Sequence, residues 1–238
     1  MKTARLTPTV VQISLGMVNA FLVESDEGPV LIDAGMQSDG RQILAALQSL
    51  DYAPSDVHHI LVTHCHADHT GGLAAVQKAS GAEVWMSAAD ALLVSRGLSM
   101  RQTEAGPGVF NAGVFKLYSA ARSAIGAGAS YVGSVKVDHE VADGDVVAGG
   151  LTAIAAPGHT QGHMAYLWPH DGGVLFVGDA AVHVGLLASS MIYEDKAEGQ
   201  RTLAALSGLD FAVAAFSHGR PVGVQAASVF RDKWGRQA

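Results

Sequence analysis

The chain has 238 residues, 49% of them hydrophobic and only 16% charged, with a formal net charge of -7. That length can bury a sizeable core, and the composition is that of a folded protein rather than a solvated tail. The acidic balance, without a run of Lys or Arg, argues against a nucleic-acid partner. No uncharged apolar run reaches the ~18 residues of a membrane span, and Met1 to Pro8 lacks the apolar core of a signal peptide, so a cytoplasmic, unanchored protein is expected.

In chain order, strand-like runs are predicted at Val10 to Ile13, Ala20 to Val23 and Pro29 to Ile32, then a helix from Arg41 to Leu50. A strand at His59 to Val62 precedes a helix at Leu73 to Ser80, and a strand at Glu83 to Trp85 precedes a helix at Ala88 to Arg96. The stretch at about 95–131 differs. Its scattered Met100, Phe110, Phe115, Leu117 and Tyr118 among Gly and Ala suggest a partly helical insertion in a single domain. Strands follow at Leu151 to Ala155, Met164 to Trp168 and Val174 to Val177, then a helix at Gly199 to Leu206, a strand at Phe211 to Phe216 and a helix at Gln225 to Trp234. Alternating strands and helices imply a layered α/β protein.

The chain faintly repeats itself. "PVLIDAG" (29–35) and "GVLFVGDA" (173–180) are apolar strands ending in Asp, and each leads through a helix-like segment to an apolar run ending in His, at His64 and His218. Five runs in all end at a titratable residue: Asp33, His64, His159, Asp179 and His218. In layered α/β proteins ligands bind beyond strand ends, so these positions point to one rim.

The densest motif is "THCHADHTGG" at 63–72. In an extended segment the i, i+2 spacing puts His64 and His66 on one side, able to chelate one cation, while Cys65 points away and is read as a small buried hydrophobe. Asp68 and His69 sit in a turn that Gly71 and Gly72 are expected to leave free to bend, and can reach a second cation. Imidazole and carboxylate are natural ligands of divalent metals, so the cluster is read as a metal cradle. His58, His59, His139, His170 and His183 are left as ordinary structural residues, and His163 is expected to support its loop.

On these residues the chain resembles the metallo-β-lactamase-fold hydrolase superfamily, from "NAFLVESDEGPVLIDAG" through "THCHADHTGG", "DGDVVAGGLTAIAAPGHTQGH" and "GVLFVGDA" to "FSHG". The resemblance implies a four-layered αββα sandwich of two mixed β-sheets. It implies two divalent metal ions, zinc first, with Fe, Mn or Co also suited to the donors. One would be held by His64, His66 and His159, the other by Asp68, His69 and His218, with Asp179 bridging and Asp33 orienting ligands from behind.

The implied activity is hydrolysis of a small carboxylic ester, thioester or lactone by a metal-bridging hydroxide, with Asp68 and Asp179 as catalytic carboxylates. A small-molecule substrate is the expected partner; the sequence sets no oligomeric state. Candidate pocket walls are Met100, Phe110, Phe115, Tyr118 and Tyr193, the last from the apolar stretch Leu186 to Tyr193. A mononuclear iron sulfur dioxygenase and a true β-lactamase stand as alternatives. Asp179 and the missing leader weigh against the lactamase, and only twenty residues after His218 weigh against a glutathione-binding helical domain.

Overall fold

The computed structural model describes residues 1–108, 113, 115–117, 119–120 and 132–235. Phe110 and Tyr118 lie outside the described residues, as does the "GAGAS" segment at 126–130. Among the described residues, two larger sheets dominate. The first has seven strands, in the order β1 (Lys2–Thr7), β2 (Val10–Ser14), β3 (Asn19–Ser25), β4 (Gly28–Ile32), β5 (His59–Leu61), β6 (Glu83–Met86) and β8 (His139–Glu140). The second has five strands, in the order β16 (Val213–Phe216), β12 (Val174–Gly178), β11 (Met164–Trp168), β10 (Leu151–Ala155) and β9 (Val146–Val147). Two short ribbons accompany them: β13 (Ala181–Val184) with β14 (Leu186–Ser189), and β15 (Ile192–Tyr193) with β7 (Glu104–Ala105).

Both larger sheets are mixed. Strands β4, β5 and β6 run parallel, joined through α1 (Arg41–Ser49) and through α2 (Ala67–Thr70) with α3 (Leu73–Ser80). Strands β12 and β16 run parallel through α5 (Lys196–Leu206). The faint internal repeat is therefore a pair of strand-helix-strand units, β4-α1-β5 and β12-α5-β16, one in each sheet. A parallel pair needs such a crossover, and buried strands read as continuous apolar runs, which is why these elements stood out in the sequence.

The layers follow from three apolar clusters. One lies between the sheets, where Phe21, Ile32 and Leu61 of the first meet Tyr166, Trp168 and Phe176 of the second. The Phe21 and Phe176 rings sit 5.2 Å apart at a tilt, a favoured aromatic geometry. A second cluster packs the outer face of the first sheet, through Leu31, Ile60 and Val84, against Ile43 and Leu47 of α1, Val76 of α3, and Ala91 and Val94 of α4 (Ala88–Val94). A third packs Leu175, Val177 and Ala214 against Leu203 and Leu206 of α5 and Phe230 and Trp234 of α6 (Ala226–Trp234). The result is helix, sheet, sheet, helix. Each large side chain fully withdrawn from water contributes on the order of 1.5–3 kcal/mol before chain entropy is set against it.

Local chemistry explains where elements differ from expectation. Helix α5 begins at Lys196 rather than Gly199, because the Asp195 carboxylate caps it by accepting the Glu198 N–H at 2.9 Å. Strand β16 begins at Val213 rather than Phe211. Strand β1 was not legible: its polar, partly exposed sequence Lys-Thr-Ala-Arg-Leu-Thr suits a sheet edge, and it carries no apolar alternation. Among the described residues, no helix is long and apolar enough to cross a membrane.

Candidate metal centre

Strands β4, β5, β10, β12 and β16 all deliver their C-terminal ends to the same rim, with Asp33, His64, His159, Asp179 and His218 in the loops that follow. The Met164 N–H donates to the Thr63 carbonyl oxygen at 2.8 Å and the Asn19 N–H to that of Ser217 at 2.7 Å, which knits the two sheets together at this end.

The seven residues sort into two adjacent groups: His64, His66 and His159, all buried, and Asp68, His69, Asp179 and His218. In the first group, His159 Nε2 lies 3.2 Å from His64 Nε2 and 2.9 Å from His66 Nδ1. In the second, His218 Nε2 is 3.2 Å from both Asp68 Oδ2 and Asp179 Oδ2, and His69 Nε2 is 3.6 Å from Asp68 Oδ2 and Asp179 Oδ1. Asp179 Oδ2 also approaches His159 Nε2 at 3.5 Å. Its carboxylate thus stands between the groups.

The hydrogen bonds behind the rings fix which nitrogen faces the centre. His159 Nδ1 lies 2.9 Å from the Ile192 carbonyl oxygen, so Nδ1 carries the proton and Nε2 presents a lone pair. His218 Nδ1 faces the Met17 carbonyl oxygen at 2.7 Å, and His69 Nδ1 faces Asp33 Oδ2 at 2.8 Å. Thr63 donates its hydroxyl proton to Asp33 Oδ2 at 2.8 Å, which leaves its oxygen to accept from His64 Nδ1 at 3.1 Å. The Nε2 lone pairs of His64 and His159 therefore face each other at 3.2 Å, where they repel, and His66 Nδ1 meets them at the same point. A tetrahedral zinc with nitrogens at 2.0–2.1 Å spaces them at about 3.3 Å. Buried His69 Nε2 and Asp179 Oδ1, both facing the centre, have no hydrogen-bond partner. The donor set fits two divalent cations.

The two groups differ in charge. Burial, and then the neighbouring imidazoles, push His64 well below the ordinary histidine range; burial also lowers His66 and His159. These three are neutral at pH 7. Asp179 and Asp68 lift His218 to about 12. For His69 burial pulls down, but Asp68, Asp33 and Asp179 outweigh it and raise it to about 9. Both carboxylates are correspondingly lowered, His69 and His218 overcoming their burial.

Asp33 is the hub behind this centre. At φ 62° it sits in the left-handed region, which Asp tolerates better than most residues, and it is buried. Its carboxylate takes the Thr63 N–H and hydroxyl and the His69 Nδ1 proton, each at 2.8 Å. His163 stands outside both groups. Its Nε2 accepts the Asp179 N–H at 2.9 Å, and burial lowers it to about 3, so it is a neutral acceptor that fixes the Asp179 backbone. A Cβ on Gly178 would collide with that ring, which explains the glycine there.

Gly71 and Gly72 differ from expectation. Both take ordinary right-handed angles, with φ -56° and -85°. What they supply is room: a Cβ on Gly71 would run into the carbonyl oxygens of Met36 and Ala67, and one on Gly72 into that of Ala34. Asp68 and His69 lie on the short helix α2 rather than in a turn. Cys65 is fully buried in the outer core, and burial raises its thiol, in keeping with an inert hydrophobe.

Of the candidate pocket residues, Tyr193 is buried with its ring against Gly199, and Met100 and Phe115 are half-buried. Several residues at the rim carried no signal in the sequence. Asn19 donates its side-chain amide to the carbonyl oxygens of Phe216 and Gly219 at 3.0 and 2.8 Å, bracketing His218, and Met17 contributes only a backbone oxygen.

Residues 13–218 match the family model described as the metallo-beta-lactamase superfamily. The chain is 32% identical over 164 residues to the uncharacterized protein YobT of Bacillus subtilis (strain 168), covering 68% of this chain and 61% of that protein. It is 34% identical over 132 residues to a hydroxyacylglutathione hydrolase of Rhodobacter capsulatus, covering 54% of this chain and 36% of that one. The chain thus spans less than two thirds of either relative. Among solved structures, BJP-1, a subclass B3 metallo-beta-lactamase of Bradyrhizobium japonicum, superposes with a TM-score of 0.73 at 21% identity, covering 100% of this chain and 92% of that one.

Proposed function

The chain belongs to the metallo-beta-lactamase superfamily, and from that premise we propose that it is a dinuclear metal-dependent hydrolase of a small carboxylic ester, thioester or lactone. The observation that carries this proposal is the Asp179 carboxylate, with oxygens 3.2–3.6 Å from His159, His69 and His218. One carboxylate within reach of both ligand groups suits a pair of cations held close together. His64, His66 and His159 would hold the first cation, Asp68, His69 and His218 the second, and Asp179 would serve both.

Two such cations, when bound, lower the pKa of a coordinated water to about 7 and polarise a carbonyl oxygen. The protein's own residues do the rest. Asp33, Ile192 and Met17 keep the Nδ1 protons of His69, His159 and His218 in place, so that their Nε2 atoms stay free as donors. Asp68, about a quarter exposed where Asp179 is buried, would take a proton from the attacking group and pass it to the leaving group. The net charge of -7 favours a small neutral substrate over a polyanion.

Elemental analysis of protein purified without added metal, followed by assay of the same sample on esters, thioesters, lactones, β-lactams and a short DNA duplex, tests the proposal. Two divalent cations per chain are expected, with turnover of at least one ester, thioester or lactone that a chelator abolishes. A metal-replete sample inert on all three classes refutes it. One iron per chain with oxygen uptake on a persulfide would instead mark a mononuclear oxygenase; the complete second ligand group favours two cations. Zinc suits the thiol-free His and Asp donors.

A further inference from the structure

Behind the three-histidine group lies a second buried polar cluster that the proposed reaction does not use. Asp90, in the first turn of α4, is fully buried. Its Oδ2 accepts the Cys65 N–H at 3.0 Å and the Thr160 hydroxyl at 2.7 Å, while its Oδ1 accepts Arg101 Nη1 at 2.8 Å. Cys65 is the residue between His64 and His66, and Thr160 follows His159. One carboxylate therefore ties together the two chain segments that bring all three imidazoles.

Arg101 extends the tie. Its Nη2 donates to the Ala89 carbonyl oxygen, and its Nη1 lies 3.3 Å from both oxygens of Glu194. Glu194 accepts the Gln161 N–H at 2.7 Å, and its own N–H donates to the carbonyl oxygens of Gly158 and His159 at 2.9 and 3.1 Å. The Ser87 hydroxyl donates to the Gly162 carbonyl oxygen at 2.5 Å. Every residue from 158 to 162 is thereby tethered, from α4 on one side and from Glu194 on the other. The side chains of Asp90 and Glu194 are 0% and 9% exposed, and Arg101 is the cation paired with both. Two buried carboxylates without that partner would carry a large desolvation penalty and move apart.

We propose that Arg101, through Asp90 and Glu194, is a positioning residue for the first cation, holding the His159 loop against the His64–His66 segment at the spacing that cation requires. It lies just beyond α4, in the stretch read from sequence as an insertion, so that stretch would contribute to the metal centre without supplying a ligand. The inference rests on the two-cation reading above.

The test compares Arg101→Met and Arg101→Lys with the wild-type chain. The measurements are the affinity of each cation by chelator competition, the electronic spectrum of the cobalt-loaded protein, kcat and KM, and amide hydrogen exchange at Cys65 and Gln161. Arg101→Met is expected to weaken the three-histidine site by about 10–100-fold, the scale of losing support behind a metal ligand. It should leave the second site within about twofold, lower kcat more than it raises KM, and speed exchange at both amides. Arg101→Lys, which keeps the charge but not the fork, should recover part of the loss. If Arg101→Met does not fold, Asp90→Asn serves for the same measurements.

Equal weakening of both sites, or an unchanged first site, overturns the inference. Should the wild-type chain take up no cation at all, the two-cation reading fails. The exchange rates then still decide whether Arg101 holds the loop, and unchanged protection at Cys65 and Gln161 refutes it.

Discussion

Replacing Asp33 by Asn changes almost no volume but removes the charge on which the second ligand group leans. Asp33 accepts three hydrogen bonds of 2.8 Å, from the Thr63 N–H, the Thr63 hydroxyl and His69 Nδ1. The carboxamide of an Asp33→Asn protein would have to keep its oxygen toward the Thr63 N–H, because a backbone donor cannot reverse. Its NH2 would then face the Thr63 hydroxyl, which can rotate to accept, and His69 Nδ1–H, which cannot. In the neutral form that takes a cation, His69 would then hold its one proton on Nε2, the atom 3.6 Å from Asp68 and Asp179 that the cation needs. Losing such a partner behind a ligating histidine costs on the order of 10–100-fold in metal affinity, or about 1.4–2.8 kcal/mol. The metal-free protein should also lose about 1.5–3 kcal/mol, the scale of one hydrogen bond to a buried charge. Chelator competition on the two cations separately is the assay. Second-site affinity equal to wild type, or a loss confined to the three-histidine site, would show that the tautomer reasoning is wrong.

Metal uptake should release protons unequally: close to none for the cation entering neutral His64, His66 and His159, and about two, from His69 and His218, for the other, measured at pH 7 with an indicator dye. Metal-free protein should be most stable near pH 6.5. The histidines lowered by burial contribute stability above 6.5 that is lost as pH falls, and His69, raised to about 9, contributes stability below 6.5 that is lost as pH rises through 9. Thermal melting from pH 5 to 9 with chelator checks this, and a monotonic profile contradicts it. Gly71→Ala, whose Cβ would meet two carbonyl oxygens, should lower stability by about 1–3 kcal/mol, whereas Gly223→Ala, with nothing nearby, should be close to neutral in the same denaturant titration. Cys65→Ala should retain both cations by elemental analysis, since the sulfur lies in the outer core.

The parts of the fold that were legible are those where burial writes a pattern. Strands β4, β5, β10, β11 and β12 are apolar throughout or nearly so, and the motif at 63–72 concentrates donors that have few other uses. Strand β1 and the short pairs β7, β8, β9 and β15 were not legible, because two-residue pairings are set by neighbours rather than by local preference. The same division holds at the centre. Side-chain donors announce themselves, while Asn19 and the Met17 carbonyl oxygen act through backbone placement that only the folded chain creates. Asp90 left one overlooked trace: a carboxylate embedded in the apolar helix sequence Ala-Ala-Asp-Ala-Leu-Leu-Val, where a charge is expensive unless it is answered.

Each of the two ligand groups draws from both halves of the chain. His64 and His66 precede residue 70 and meet His159; Asp68 and His69 meet Asp179 and His218. Neither half alone carries more than two donors for either group, so a chain severed in the stretch between them would yield two inert pieces. Mixed with zinc, those pieces would have reason to find each other, and the ion would behave as a rivet whose uptake reports that the halves have joined.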